Sequence, residues 1–288
     1  MVEADPKPSW EPEGWRLRLV CWYARKIPEH PAKGRILQWL VGAMCPNGGW
    51  FRSVDGARFC VDPGEYIGRA IITAGGFEPQ SIRLAIEIMR GARGGVFLDV
   101  GANQGIFTCA VGCATGCQAM AVEAAPEAFV RLQRNVLANN TLRATLVHSC
   151  AAATAGLIKF FVPRDGHRAA WGGPNPKQNV AREDLLSFWS GAAPLESILA
   201  DLAVPAVHLL KIDVEGFELE VFFGLDWEGR FRPRHIIMEC DPDEREKIAF
   251  LERQGYSARL IEGGMAAEAS DFPEGNLWFV DGRLEEGV

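Results

Sequence analysis

VFLDVGANQGIF, Val96 to Phe107, is the stretch whose reading decides the fold. VFLDV is an apolar run that reads as a buried strand carrying Asp99 near its end. Gly101, Asn103 and Gly105 form a glycine turn, and a helix is predicted from about Ile106. A second apolar run, QAMAVE, closes on Glu123. A tight turn that opens a helix N-terminus, with an acid on the neighbouring strand, is how an open α/β sheet holds an adenosine-type ligand. Glycine lets the backbone approach the ligand, and the acid accepts hydrogen bonds from ribose hydroxyls.

What the turn lacks narrows the ligand. The dinucleotide fingerprint G-x-G-x-x-G would need glycine where Asn103 and Ile106 stand. No G-K-[ST] triplet follows, so the turn is not a P-loop. Asp99 would repel a pyrophosphate but suits a cationic amino group. S-adenosylmethionine carries such a group together with a sulfonium, and is the cofactor expected here. An NAD-linked oxidoreductase is the first rival and lacks its glycines. A non-catalytic module that keeps the fold is the second, and gives no reason to retain costly ionisable groups.

The chain has 288 residues, 48% hydrophobic and 23% charged, which is ordinary for a globular protein with a real core. Its formal net charge of −7 argues against nucleic acid as an obligatory partner. No run approaches the roughly 20 apolar residues of a membrane span. The opening MVEADPKPSWEPEGW has neither a cationic nor an apolar signal region, so a cytoplasmic protein is expected. Its eight cysteines are then reduced thiols. Cys109, Cys113 and Cys117 share one helix face, without histidine or C-x-x-C, and read as packing residues rather than metal ligands.

The remaining chain divides into an N-terminal helical extension, residues 1–49, and one domain over 50–288. In residues 10–44, Trp15, Leu19 and Trp22 recur at helical spacing, and GRILQWLVGAM predicts a second helix. This stretch holds six Lys/Arg against three Glu. It reads as a helical pair packed on the main domain, or else as a substrate lid, dimer contact or membrane-surface patch. Residues 50–72 predict a hairpin turned at Asp55-Gly56, followed by a turn at Pro63-Gly64. Helices are predicted over 79–90, 105–115, 126–139 and near 194–202, with strands at 96–100, 118–123 and TLVHSCAA. A further strand, LIKFFVP, precedes a Gly/Pro/Asn-rich loop over 164–178 that contains His167. IIMECDP, a helix from DEREKIAFLERQG, and a closing antiparallel pair, YSARLI with NLWFV, complete an alternating α/β pattern. The fold class is therefore α/β, a Rossmann-like, mostly parallel sheet with helices on both faces.

VHLLKIDVEGFELEVFFGL carries a second acidic constellation. If the strand runs on, Lys211, Asp213 and Glu215 share one face. Three ionisable groups in a row on a buried strand are costly unless they pair or face a cleft, and they lie at the strand's C-terminal end, where such sheets bind ligands. A Lys211–Asp213 ion pair, with Glu215 opening the next helix, is the purely structural alternative.

Four blocks in order resemble the FkbM family of S-adenosylmethionine-dependent methyltransferases: GGFEP (75–79), FLDVGANQGIFT (97–108), LLKIDVEGFELEVFFGL (209–225) and IIMECDP (236–242). NLWFV (276–280) is a weaker fifth, and the resemblance covers residues 54–281. It implies a class I methyltransferase fold, with seven strands, mostly parallel, and O-methylation of a hydroxyl on a sugar or other small metabolite. It also implies that Asp99, Gly101, Asn103 and Gly105 line the methionine end of the cofactor, with Glu123 on the ribose. Glu78 matches the acid of the family's G-x-[YF]-E-P element. Ala151, near the end of the third strand, and Asp213 are counted with the cofactor-binding residues. A hydroxyl needs a proton acceptor, for which Asp213 stands first, then Glu215 and His167. A divalent cation on Asp213 with Glu239 or Asp241 is the lesser alternative, and no residue is assigned as a dedicated metal ligand.

Overall fold

A computed structural model describes residues 10–92, 94–164, 173–174, 182–240, 245–262, 265–268 and 275–284. In chain order they form β1 (Trp10–Pro12), α1 (Trp15–Lys26), α2 (Lys33–Met44), β2 (Gly49–Ser53), β3 (Arg58–Val61), α3 (Tyr66–Ala74), α4 (Pro79–Gly91), β4 (Val96–Val100) and α5 (Ile106–Thr115). Then come β5 (Gln118–Glu123), α6 (Pro126–Leu137), β6 (Arg143–His148), β7 (Cys150–Ala151), β8 (Gly156–Pro163), β9 (Leu185–Ala193), α7 (Leu195–Asp201) and β10 (Val207–Ile212). The chain continues with α8 (Glu218–Phe223), β11 (His235–Cys240), α9 (Arg245–Arg253), β12 (Tyr256–Glu262), β13 (Met265–Glu268) and β14 (Gly275–Asp281).

The main sheet runs β13-β12-β14-β11-β10-β4-β5-β6. β11, β10, β4, β5 and β6 are mutually parallel, and β14 lies antiparallel between β11 and β12. Leaving β13 aside as an added edge strand, this is the seven-strand order of the class I methyltransferase fold. The chain leaves β4 toward β5 and β6, then crosses back to β10 on the other side. The crevice at that reversal, beyond the C-terminal ends of β4 and β10, is where open α/β sheets take ligands.

Strand alternation splits the core into two layers. Val96, Leu98, Val100, Leu210 and Ile212 pack beneath α7, α8 and α9, and Phe97, Ala119, Leu209 and Ile237 pack beneath α4 and α5. Cys109 and Cys117 are buried in that second layer, and Cys113 packs partly buried against it.

The N-terminal segment is built into the body. β1 pairs antiparallel with β2, and β2 with β3. Two buried asparagines, Asn135 on the last turn of α6 and Asn139 just beyond its end, then extend β3 sideways. The Asn135 amide accepts from Cys60 N (2.7 Å) and donates to Cys60 O (3.3 Å) and Gln104 O (2.8 Å). The Asn139 amide accepts from Arg58 N (2.8 Å) and donates to Arg58 O (2.9 Å). Each side-chain amide pairs with a strand residue as a peptide group would. Because Gln104 lies in the glycine turn, Asn135 ties that turn to β3.

Three features depart from the reading of the sequence. Tyr66–Ala74 is a helix in the stretch described only by a hairpin and turns. Its Ile67, Ile71 and Ile72 bury one face, and Gly68 packs so close that a Cβ there would lie 1.9 Å from Asp62 O. The third strand breaks at Ser149, so Ala151 falls in a separate sheet ordered β7-β9-β8. β9, paired antiparallel along the whole of β8, had no counterpart in the sequence reading.

Candidate active site

β4 delivers the chain into the turn, where Gly101 N and Ala102 N both donate to Val122 O on β5, at 2.9 and 3.1 Å. Gly101 has φ +75, and a Cβ there would sit 1.9 Å from Asp213 O. Only glycine permits that approach of the turn to the end of β10. Gly105, at φ +78, starts α5 and lies against Leu132, which a Cβ would meet at 2.5 Å.

Glu123 holds the other side of the turn. Its Oε2 accepts from Asn103 N and its Oε1 from Ala125 N, both at 2.7 Å. Burial raises its pKa, and the amides of Ala125, Asn103 and Ala124 pull the other way. A carboxylate offers about four lone-pair positions, so capacity remains for a further donor.

Gly101, Asn103 and Glu123 border a cavity with about 640 Å³ of empty space, part of it open to solvent. Its walls include Gly101, Asn103, Glu123, Ala151, Asp213 and Glu215, together with Ala124, Ala125, Ser149 and Phe160. Phe160 stacks on Phe188 of β9 at 5.5 Å between ring centroids, so the small sheet supplies an aromatic wall. The sequence reading had no signal for that wall, because β7 and β9 are joined only by tertiary pairing.

Asp99, Glu78 and Gly105 do not border the cavity. Asp99 is fully buried, and its Oδ2 accepts from Thr108 N (3.0 Å) and Thr108 Oγ1 (2.6 Å). Its Oδ1 is buried without a hydrogen-bond partner. Glu78 precedes α4 in a left-handed conformation, φ 42, and accepts from Asn276 Nδ2 of β14 at 2.8 Å. His167 and Asp241 lie outside the described residues.

Lys211 organises the acids. Its Nζ lies 3.1 Å from Asp213 Oδ2 and 5.1 Å from the centroid of the Phe107 ring. Burial works to lower its pKa, but Asp213, Asp99 and Glu78 together raise it, so it stays charged. Burial likewise raises the pKa of Glu78 and of Asp99, with Lys211 opposing in both. Glu239, at the end of β11, reaches solvent, yet desolvation by the surrounding protein and the like charges of Asp213, Glu78 and Glu215 push it up to about 7. One lysine thus faces several carboxylates, and burial and their crowding hold Glu78, Asp99 and Glu239 above the ordinary carboxylate range.

The alternation expected through Glu215 stops at the strand end. β10 finishes at Ile212, and Glu215 has φ 53. The acid that closes the following turn is Glu218, whose Oε1 accepts from Val214 N (3.2 Å) and Gly216 N (3.3 Å) and whose Oε2 pairs with Lys247 (2.7 Å). Among the described residues, the non-glycine positions at positive φ are Glu78, Asn103, Ala203 and Glu215. Three of the four flank this crevice, the usual setting of tolerated backbone strain. Among the described residues no three His, Cys, Asp or Glu side chains form a group that could hold a metal ion, and no helix is long and apolar enough to cross a membrane.

No curated protein sequence matches the chain. Among solved structures it is similar to the precorrin-6y C5,15-methyltransferase of Geobacter metallireducens, with 16% identity and a TM-score of 0.43 over 71% of this chain and 90% of that one. It is also similar to M. jannaschii TYW2 in complex with AdoMet, with 12% identity, a TM-score of 0.42, and 81% and 84% of the two chains covered. A tRNA (uracil-54, C5)-methyltransferase of Pyrococcus abyssi in complex with S-adenosyl-L-homocysteine shares 14% identity at a TM-score of 0.42, over 80% of this chain and 43% of that one. The family model for the methyltransferase FkbM domain matches residues 99–258, from the buried acid of β4 into β12. With more than half of its length so matched, the chain belongs to the FkbM family of S-adenosylmethionine-dependent methyltransferases.

Proposed function

We propose that this methyltransferase acts on a hydroxyl of a small molecule, such as a sugar. The observation that carries the reading is the crowd of carboxylates around Lys211 at the open end of β10 and β11. Glu239 there has a proton affinity matched to neutral pH.

The residues present fit the cofactor. Carboxylates line the crevice and the cofactor is a cation. Glu123 lines the cavity and keeps capacity there for a further donor. Gly101 and Asn103 would lie along its methionine part, Glu123 would accept from its ribose, and Ala151 would border its base. Glu78 and Asp99 act on that end through the shared charge of the cluster, and Gly105 through the start of α5. When bound, the cofactor supplies an electrophilic methyl group on a sulfonium.

The protein's own task is to align a hydroxyl and take its proton as the oxygen is methylated. Asp213, at the cavity wall and oriented by Lys211, is the acceptor, with Glu215 beside it. The charge of Asp213 is one of the causes that raise the pKa of Glu239.

The test is transfer of an isotopically labelled methyl group to sugars and other small hydroxyl compounds, with the product bond identified by NMR. A methyl ether supports the reading. Cofactor turnover that methylates only nitrogen or carbon acceptors would sink it.

A further inference from the structure

Helix α1 buries Leu17, Val20, Cys21 and Ala24 against the body of the protein. Its opposite face stays in water. Trp15 is 68% exposed, Leu19 39% and Trp22 54%. Their spacing of four and three residues sets them in one line along the helix, and Lys26 continues it. Arg16 and Arg18 are exposed on either side of that line, with the Arg16 guanidinium 5.6 Å from the Trp15 ring. α2, packed on α1, exposes Trp39 (68%) and Ile36 (38%) in the same manner. Large side chains gathered in this way on a surface mark an interaction site.

The charge of the segment says what it meets. Residues 10–44 carry six basic and three acidic side chains in a chain whose net charge is −7. Two of those acids are already paired, Glu13 with Arg52 and Arg58, and Glu29 with Lys33. A second copy of this chain, joined through a two-fold axis, would set Arg16, Arg18 and Lys26 against their own images. An anionic bilayer suits both features: indole rings settle at the headgroup level and basic side chains meet the lipid charge.

We propose that the exposed face of α1 and α2 docks this protein on anionic lipid surfaces. The attachment to the body is rigid enough to orient it. Arg25 of α1 donates to Ile71 O (2.8 Å) and Ile72 O (2.7 Å) at the end of α3, and Trp10 N donates to Gly75 O (3.0 Å). α3 leads through Gly75 directly to Glu78, so the docking face and the candidate active site share one connected frame.

The chain is sedimented with vesicles of phosphatidylcholine alone and of phosphatidylcholine mixed with phosphatidylglycerol. Binding to the mixed vesicles is expected, with far less on the neutral ones and a loss of binding as salt is added. R16Q and R18Q each weaken partition about fivefold. The double variant Trp15→Ser with Trp22→Ser loses partition while S-adenosylhomocysteine binding and Tm hold, since neither side chain belongs to the core. Absence of binding to both vesicles overturns the proposal, as does partition that survives the double variant. A dimer that the double variant dissolves would assign the face to a second copy and overturn it equally.

Discussion

The backbone N–H of Asn103 donates to Glu123 Oε2 at 2.7 Å, so the glycine turn after β4 is fastened to the end of β5. The same carboxylate holds Ala125 N. Glu123→Ala removes both bonds and the acceptor proposed for the ribose. Charge-assisted hydrogen bonds contribute about 1.5–3 kcal/mol each. Calorimetry with S-adenosylhomocysteine should therefore show affinity at least about tenfold weaker. Unchanged affinity would take Glu123 out of that role.

Lys211 is the cation set among Asp213, Asp99 and Glu78. Lys211→Met keeps the volume and leaves the acids unanswered, which should cost about 3–5 kcal/mol at neutral pH. The folded pKa of Lys211 is raised above the ordinary 10.5, so its contribution is complete below that value and is lost only as alkali carries the pH through the raised one. In the variant the deficit should shrink on acidification, as the carboxylates with raised pKa take up protons. Urea unfolding at a series of pH values checks both statements.

Asp213 borders the cavity and Lys211 orients it. Asp213→Asn keeps the shape and removes the proton acceptor. Turnover should fall by about 10²–10⁴ while S-adenosylhomocysteine binds within a few-fold of the parent. Persistence of turnover would move the acceptor role elsewhere in the cluster.

At Gly101 the backbone is left-handed, and Asp213 O fills the place of a Cβ. Gly101→Ala should cost about 1–3 kcal/mol in backbone strain alone, before the clash is counted. The displaced turn should bind S-adenosylhomocysteine poorly. A thermal-shift series with and without the ligand reads both effects, and a parent-like response in each would contradict the packing described here.

Glu239 has its pKa raised from 4.5 to about 7. A carboxyl raised in this way contributes stability that is complete below its unfolded value and is lost as the pH rises through the folded one. Between about 4.5 and about 7 the unliganded chain should thus lose stability through this group as pH rises, and Glu239→Gln should flatten that slope. Turnover should climb with a limb near 7 as Glu239 gives up its proton, and the variant should lose that limb. Tm and rate against pH for the two proteins decide it.

Much of this was legible in local sequence because its causes are local. VFLDV followed by Gly101, Asn103 and Gly105 forms strand, turn and helix through period-two burial and left-handed backbone, neither of which needs a distant partner. The acid of QAMAVE marks the adjacent strand for the same reason. Tyr66–Ala74 was not legible as a helix, since its β-branched isoleucines also suit a strand, and only burial against α1 and the close approach of Gly68 to Asp62 favour the helix. Asn135 and Asn139 resemble ordinary polar residues near a helix end until β3 lies beside them.

By itself the sequence determined the alternation of strands and helices from β4 to β6, the glycine turn and the acids beside it, because periodicity and backbone conformation are properties of neighbouring residues. Tertiary structure alone decided that Asp99 is fully buried against Thr108, that Lys211 answers several carboxylates at once, and that Ala151 and Phe160 reach the site through a second sheet. Those facts depend on which residues from distant parts of the chain share a low-dielectric space. Burial and charge coupling there act between neighbours in space, and no spacing along the chain encodes them.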